Sequence, residues 1–255
     1  MVHWQLAAFS APRQGNDERE YEDAWDHFPT RQRHGAFLRA AIADGATASS
    51  FAREWAALLV RTYVRHRFVT AGGLMRAVTG IAPSWWRSVF ARPLPWYAEE
   101  KARRGAFSSL LGLNLAGEGA DERSLTGNWQ ALAVGDSCLF QVRDESLLAA
   151  FPLQAADQFG DTPTLLGSHL ARNDRVEVAV QAGRWQAGDV FLLATDALAA
   201  WFLTETGQGG QPWRRLFALP HQSAFRLWLE EGRASQRIRN DDATCVVIRL
   251  PGPDH

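Results

Sequence analysis

Five stretches of the sequence place a carboxylate where an apolar run stops or starts: YEDAW (21–25), AIADGATASS (41–50), AVGDSCLF (133–140), LLATDAL (192–198) and RNDDATCVVI (239–248). The acids are Glu22 and Asp23, Asp44, Asp136, Asp196, and Asp241 with Asp242. Taken singly, each fits a turn or a helix cap, because Asp bonds nearby backbone where a regular element ends. Together they allow a second chemistry. Side chains at the strand ends of a sheet sandwich emerge at one edge, so acids placed there can converge. Carboxylates at close range force each other to take up protons unless a cation sits among them. Oxygen-only ligands favour a hard divalent ion, Mg²⁺ or Mn²⁺, over zinc.

Other site chemistries find no support. There is no CxxC, no Cys/His zinc spacing and no HExxH. GDS at 135–137 is not a GxSxG elbow, and no glycine-rich phosphate fingerprint follows a strand. Cys138 and Cys245 both lie in apolar β-like runs, which fits small buried hydrophobes in a reducing compartment.

With 27 basic and 28 acidic residues the formal net charge is −1, so no global field favours nucleic acid or an anionic membrane. The mixed charge runs at 16–23 and 61–68 read as solvated faces. The N-terminal stretch lacks a basic, then apolar, leader pattern, and no window approaches a membrane span; a cytoplasmic protein is expected. The length of 255 residues is read as a single domain over 1–255.

The elements that must position the acids can be read in outline. Residues 3–11 and 35–44 read as strands, and 47–68 as a helix capped by Thr47 or Ser49, with Trp55, Leu59 and Tyr63 on one face. Trp85, Trp86 and Trp96 interleave with prolines and read as core packing, with a short helix over 96–104. Strands are expected at 106–115, 129–134, 138–143, 190–195 and 243–250, with turns at 117–128 and 186–189, the latter a hairpin. Residues 224–233 read as an amphipathic helix. Helices grouped apart from antiparallel strands give an α+β layered fold.

The ordered set YEDAW, AIADGATASS, GAFSSLLGLNL, ALAVGDSCLFQV, VFLLATDAL and RNDDATCVVI resembles the protein phosphatase 2C family of metal-dependent Ser/Thr phosphatases, bacterial type, over nearly the whole chain. The resemblance implies a four-layer α/β/β/α sandwich, with two antiparallel sheets flanked by helices and a two-metal centre at one end. It also implies hydrolysis of phosphoserine and phosphothreonine on proteins by a metal-activated water, opposing a Ser/Thr kinase, with two Mn²⁺ or Mg²⁺ ions and a weaker third. Neither nucleic acid nor membrane is an implied partner.

Carried over by position, Asp44 would bridge the two metals, with the Gly45 carbonyl as a further ligand. Glu22 would bind one metal directly or through water, and Asp23 would hold outer waters. Asp196 and Asp241 would complete the other metal, and Asp242, where the family often has Asn, would stand outside the ligands. Asp136 would give half of a third site, because Ala200 replaces the last acid of the family's DGxxD. The family's phosphate-binding Arg falls on Glu18, which leaves Arg19 or Arg13 for that role; Ala46 stands where eukaryotic members often have His. Two other readings are a catalytically weak relative that binds phosphoproteins, and a two-metal hydrolase of small phosphate esters.

Overall fold

Runs such as VFLLA and CVVI leave no polar position for solvent, so these strands must be covered on both faces. The computed structural model describes residues 4–32, 35–47, 49, 51–66, 68–117, 126–160 and 162–250; the turn expected at 117–128 and the first residue of the strand expected at 3–11 lie mostly or wholly outside them. The chain begins with β1 (Gln5–Ala11), β2 (Ala24–Gln32) and β3 (Gly35–Ala43), then the helices α1 (Ala52–Arg65), α2 (Ala71–Val89) and α3 (Trp96–Arg103). Next come β4 (Phe107–Ser108), β5 (Leu110–Gly117), β6 (Thr126–Val134), β7 (Cys138–Arg143), β8 (Ser146–Phe151), β9 (Leu166–Gly167), β10 (Ala179–Gln186) and β11 (Val190–Ala194). It continues through α4 (Asp196–Gly207), α5 (Pro212–Phe217) and α6 (Gln222–Ala234) to β12 (Ala243–Arg249).

Two five-stranded antiparallel sheets result, ordered β1-β12-β11-β7-β8 and β10-β6-β5-β3-β2. Period-two alternation sorts each strand between two cores. Leu38, Ile42, Leu113, Phe191, Leu193, Val246 and Ile248 fill the space between the sheets. The intervening Ala41 and Ala43 face Trp55, Leu59 and Tyr63 of α1, while Leu192, Cys245 and Val247 face Leu198, Phe202 and Phe225 of α4 and α6. Three cores separating four layers are the expected α/β/β/α sandwich. Close packing of α1 depends on Gly112, where a Cβ would sit 2.1 Å from the Tyr63 ring.

Several expectations need correction. The helix read from 47 begins at Ala52, behind a left-handed Phe51 (φ 63°), and neither candidate cap caps it. The Ser49 hydroxyl instead donates to the Ala46 carbonyl (2.8 Å) and accepts from the Phe107 amide (3.2 Å). The strand read over 106–115 breaks at Ser109, whose amide donates to the Asp44 carbonyl at 2.8 Å. Residues 186–189 do turn, but not as a hairpin: β10 and β11 lie in different sheets, and the turn carries the chain across the sandwich. Asp189 is buried there against Arg143 (2.6 Å) and Gln141 (2.8 Å), which satisfies its charge. Of the tryptophans read as core, Trp85 is buried, Trp86 packs against its edge and Trp96 is 78% exposed.

Cys138 and Cys245 are free and buried, each opposite Ala194 from a neighbouring strand, and burial pushes both thiols up to about 12. No helix among the described residues is long and apolar enough to cross a membrane.

Candidate metal centre

Strand register determines where the acids meet. Ala24 pairs with Ala43, so Asp23 and Asp44 leave one sheet side by side. In the other sheet Cys138, Ala194 and Cys245 form one row across three strands, which puts Asp136, Asp196 and the Asp241–Asp242 pair just beyond the same edge. The consequence is a cluster in which carboxylate oxygens of Asp44, Asp136 and Asp196 all lie within 4.8 Å of one another. Asp136 and Asp196 are each 7% exposed.

Local hydrogen bonds hold Asp44, Asp23 and Asp242 in place. The Asp44 amide donates to Ser109 Oγ (3.0 Å), and its carbonyl accepts from Ser108 Oγ and the Ser109 amide, both at 2.8 Å. Gly45 then pairs with Ser108. Only glycine fits there, because a Cβ would lie 2.7 Å from the Glu22 carbonyl and 3.0 Å from Ala52. Asp23 Oδ2 accepts from Thr195 Oγ1 (3.0 Å) and Thr244 Oγ1 (2.6 Å), two threonines of the opposite sheet, and Tyr21 bonds Thr244 in turn. Asp242 accepts from the amides of Arg13 (2.8 Å) and Glu22 (2.6 Å), tying the loop after β1 to the start of β12. It serves as a structural clamp between these two segments.

The cluster is electrostatically strained. Burial, then the charges of Asp23, Asp136 and Asp241, hold the Asp44 carboxyl well above the usual carboxylate range. Burial chiefly pushes Asp23 up to about 7, and also raises Asp136, Glu22 and Asp242. Asp23 Oδ1 is buried with no hydrogen-bond partner. Crowded, buried carboxylates with an orphaned oxygen among them fit a divalent cation with oxygen ligands. One cation of the chain is already present: Arg239 ion-pairs with Asp196 and stands 3.4 Å from Asp241.

The remaining expected site residues lie around this cluster. Glu22 is half-buried beside it, in a cavity of about 340 Å³ whose wall includes Arg13, Arg19, Thr47 and Arg53. The Arg19 side chain is 93% exposed and turned toward Asp17 at 4.0 Å, whereas the charge of Arg13 acts on both Glu22 and Asp242. Glu18 pairs with Arg226. Sequence reasoning missed Ser108, Ser109, Thr195, Thr244 and Arg239. The threonines stand as the residue before Asp196 and the second after Asp242; the serines and the arginine lie within the GAFSSLLGLNL and RNDDATCVVI motifs, with nothing local to mark a role for them.

No protein-family model and no curated protein matches the chain. Solved structures do. A catalytic domain of the serine/threonine phosphatase PstP in complex with two manganese ions is 19% identical, covers 98% of this chain and 100% of its own, and has a TM-score of 0.60. The S. agalactiae serine/threonine phosphatase is 12% identical over 97% and 100% of the two chains, with a TM-score of 0.60. PppA, described as a key regulatory component of T6SS in Pseudomonas aeruginosa, is 18% identical over 97% and 98%, with a TM-score of 0.55. Over nearly its whole length, then, the chain has the fold of the protein phosphatase 2C-type Ser/Thr phosphatase catalytic domains.

Proposed function

We propose that this protein is a metal-dependent phosphoprotein phosphatase acting on phosphoserine and phosphothreonine. The observation that carries the reading is the convergence of Asp44, Asp136 and Asp196 within 4.8 Å at one end of the sandwich. Asp44, Asp196, Asp241 and Glu22 are the residues that would hold the ions, with Mn²⁺ or Mg²⁺ expected from the all-oxygen set. Divalent ions held there would supply an acidified water and screen charge developing on a phosphate.

The chain's own residues do the rest. Ser108 and Ser109 fix the Asp44 backbone, so its carboxylate points into the cluster without rearrangement. Thr195 and Thr244 hold Asp23 from the opposite sheet, which keeps the two halves of the centre in register. Preorganised ligands of this kind avoid reorganisation cost during reaction. A cavity of about 400 Å³ opens at Asp136, walled by Leu153, Gln158, Thr164 and Glu177, and gives room for residues flanking the phosphorylated one.

The test is hydrolysis of a phosphothreonine peptide and of p-nitrophenyl phosphate, with Mn²⁺ and with chelator. Metal-dependent turnover of both is expected. Turnover of the small ester alone would redirect the reading to a small-ester hydrolase. No turnover by folded, metal-loaded protein would overturn the enzymatic reading.

A further inference from the structure

In the loop after β1, Arg13 lines the Glu22 cavity, and its charge acts on Glu22 and Asp242 rather than on Asp44 or Asp136. Glu18 is acidic and already paired with Arg226, and Arg19 extends into solvent beside Asp17. Arg53 donates to the Glu18 carbonyl at 3.0 Å. Arg233 is buried and donates to the carbonyls of Pro12 and Asp241. Arg239 alone of these arginines puts its guanidinium on carboxylates of the cluster, Asp196 and Asp241. Its side chain remains 55% exposed, so the group lies at the open mouth of the centre.

We propose that Arg239 is the residue that binds the phosphate of the substrate. The inference rests on the phosphatase reading and names the residue that reading lacks. A guanidinium fork matches a phosphate as well as a carboxylate, through two parallel charge-assisted bonds. Divalent ions held by Asp196 and Asp241 would leave Arg239 without its counter-charge. It stays tethered two residues from Asp241, and the anion that then arrives at that centre is the phosphate.

The experiment uses the full chain saturated with Mn²⁺, titrated calorimetrically with inorganic phosphate, in wild type, Arg239→Ala, Arg239→Lys and Arg13→Ala. Circular dichroism and Mn²⁺ binding verify that each variant is folded and loaded. Arg239→Ala should weaken phosphate binding by about ten- to a hundred-fold, the range for a charge-assisted pair. Lysine should restore it only in part, Arg13→Ala should change it less, and KM for p-nitrophenyl phosphate should rise in parallel. Phosphate affinity in Arg239→Ala within about twofold of wild type, a larger loss in Arg13→Ala, or no phosphate binding by wild type would overturn the assignment. Failure of the phosphatase reading is separate: it shows as absent hydrolysis by wild type, while the titration still reads Arg239.

Discussion

The guanidinium of Arg239 and the carboxylate of Asp196 are paired across the mouth of the acid cluster, with Asp241 3.4 Å from the same nitrogen. An ion bound to Asp196 through the oxygen that Arg239 holds would compete with that pair. Arg239→Ala should therefore bind Mn²⁺ about two- to five-fold more tightly than wild type, the range for a half-exposed ion pair. Isothermal titration measures it, and weaker Mn²⁺ binding by the variant would show that Arg239 supports the ligands instead.

Asp44→Asn and Asp196→Asn should each lower kcat by several hundred-fold or more, because a neutral ligand cannot hold the ions that stabilise the transition state. For Asp44 a second outcome follows. Its carboxylate is repelled by Asp23, Asp136 and Asp241, so the asparagine variant should be at least as stable as wild type in EDTA while losing Mn²⁺ binding. Thermal melts with and without Mn²⁺ read both effects.

Gly45→Ala should destabilise the protein by about 1–3 kcal/mol, since its methyl group collides with the Glu22 carbonyl and the backbone of Ala52. Urea unfolding in EDTA gives the value. An unchanged midpoint would mean that the backbone on both sides of residue 45 yields freely.

The metal-free protein should become less stable as pH rises from about 4 to about 7. Unfolded carboxylates ionise near 4, whereas burial holds the Asp23 proton up to about 7 and raises Asp44 and Asp136 as well. Below that window both states are protonated and the folded state carries no penalty; within it the unfolded chain alone releases protons, so stability is lost until the folded groups ionise too. A melting temperature roughly 5–10 °C higher at pH 5 than at pH 8 is expected in EDTA, and Mn²⁺ should remove most of the difference. Equal melts in EDTA would contradict the burial of these carboxyls.

The outline was legible where one period dominates. Strand β12, strand β11 and helix α6 stand close to where the sequence puts them, because continuous apolar runs and a 3.6 spacing have few alternatives. Strand β2 was hidden by its polar residues and by Pro29, which a sheet edge tolerates. Helix α2 has an apolar face but runs through Gly72, Gly73, Gly80 and Pro83, all weak helix formers, whereas α4 buries residues all round and shows no amphipathic stripe. At the site, the acids could be named because each interrupts an apolar run. Their alignment follows from pairings such as Ala24 with Ala43, which link residues far apart in sequence and leave no local trace. Arg239 was invisible for a related reason: its role comes from Asp196, 43 residues earlier.

Strand β12 lies between β1 and β11, and β1 has no other neighbour in its sheet. During vectorial synthesis β1 emerges long before β12 and has no strand to pair with in its sheet until residues 243–249 are made. The same late insertion delivers Asp241, Asp242 and Thr244 to the acids already waiting at the sheet edge. A growing chain therefore holds an unpartnered strand and an incomplete acid cluster until β12 has been made. Closing so long a loop makes the final docking slow relative to local helix formation, and it delays any competence for chemistry until the whole sandwich has formed.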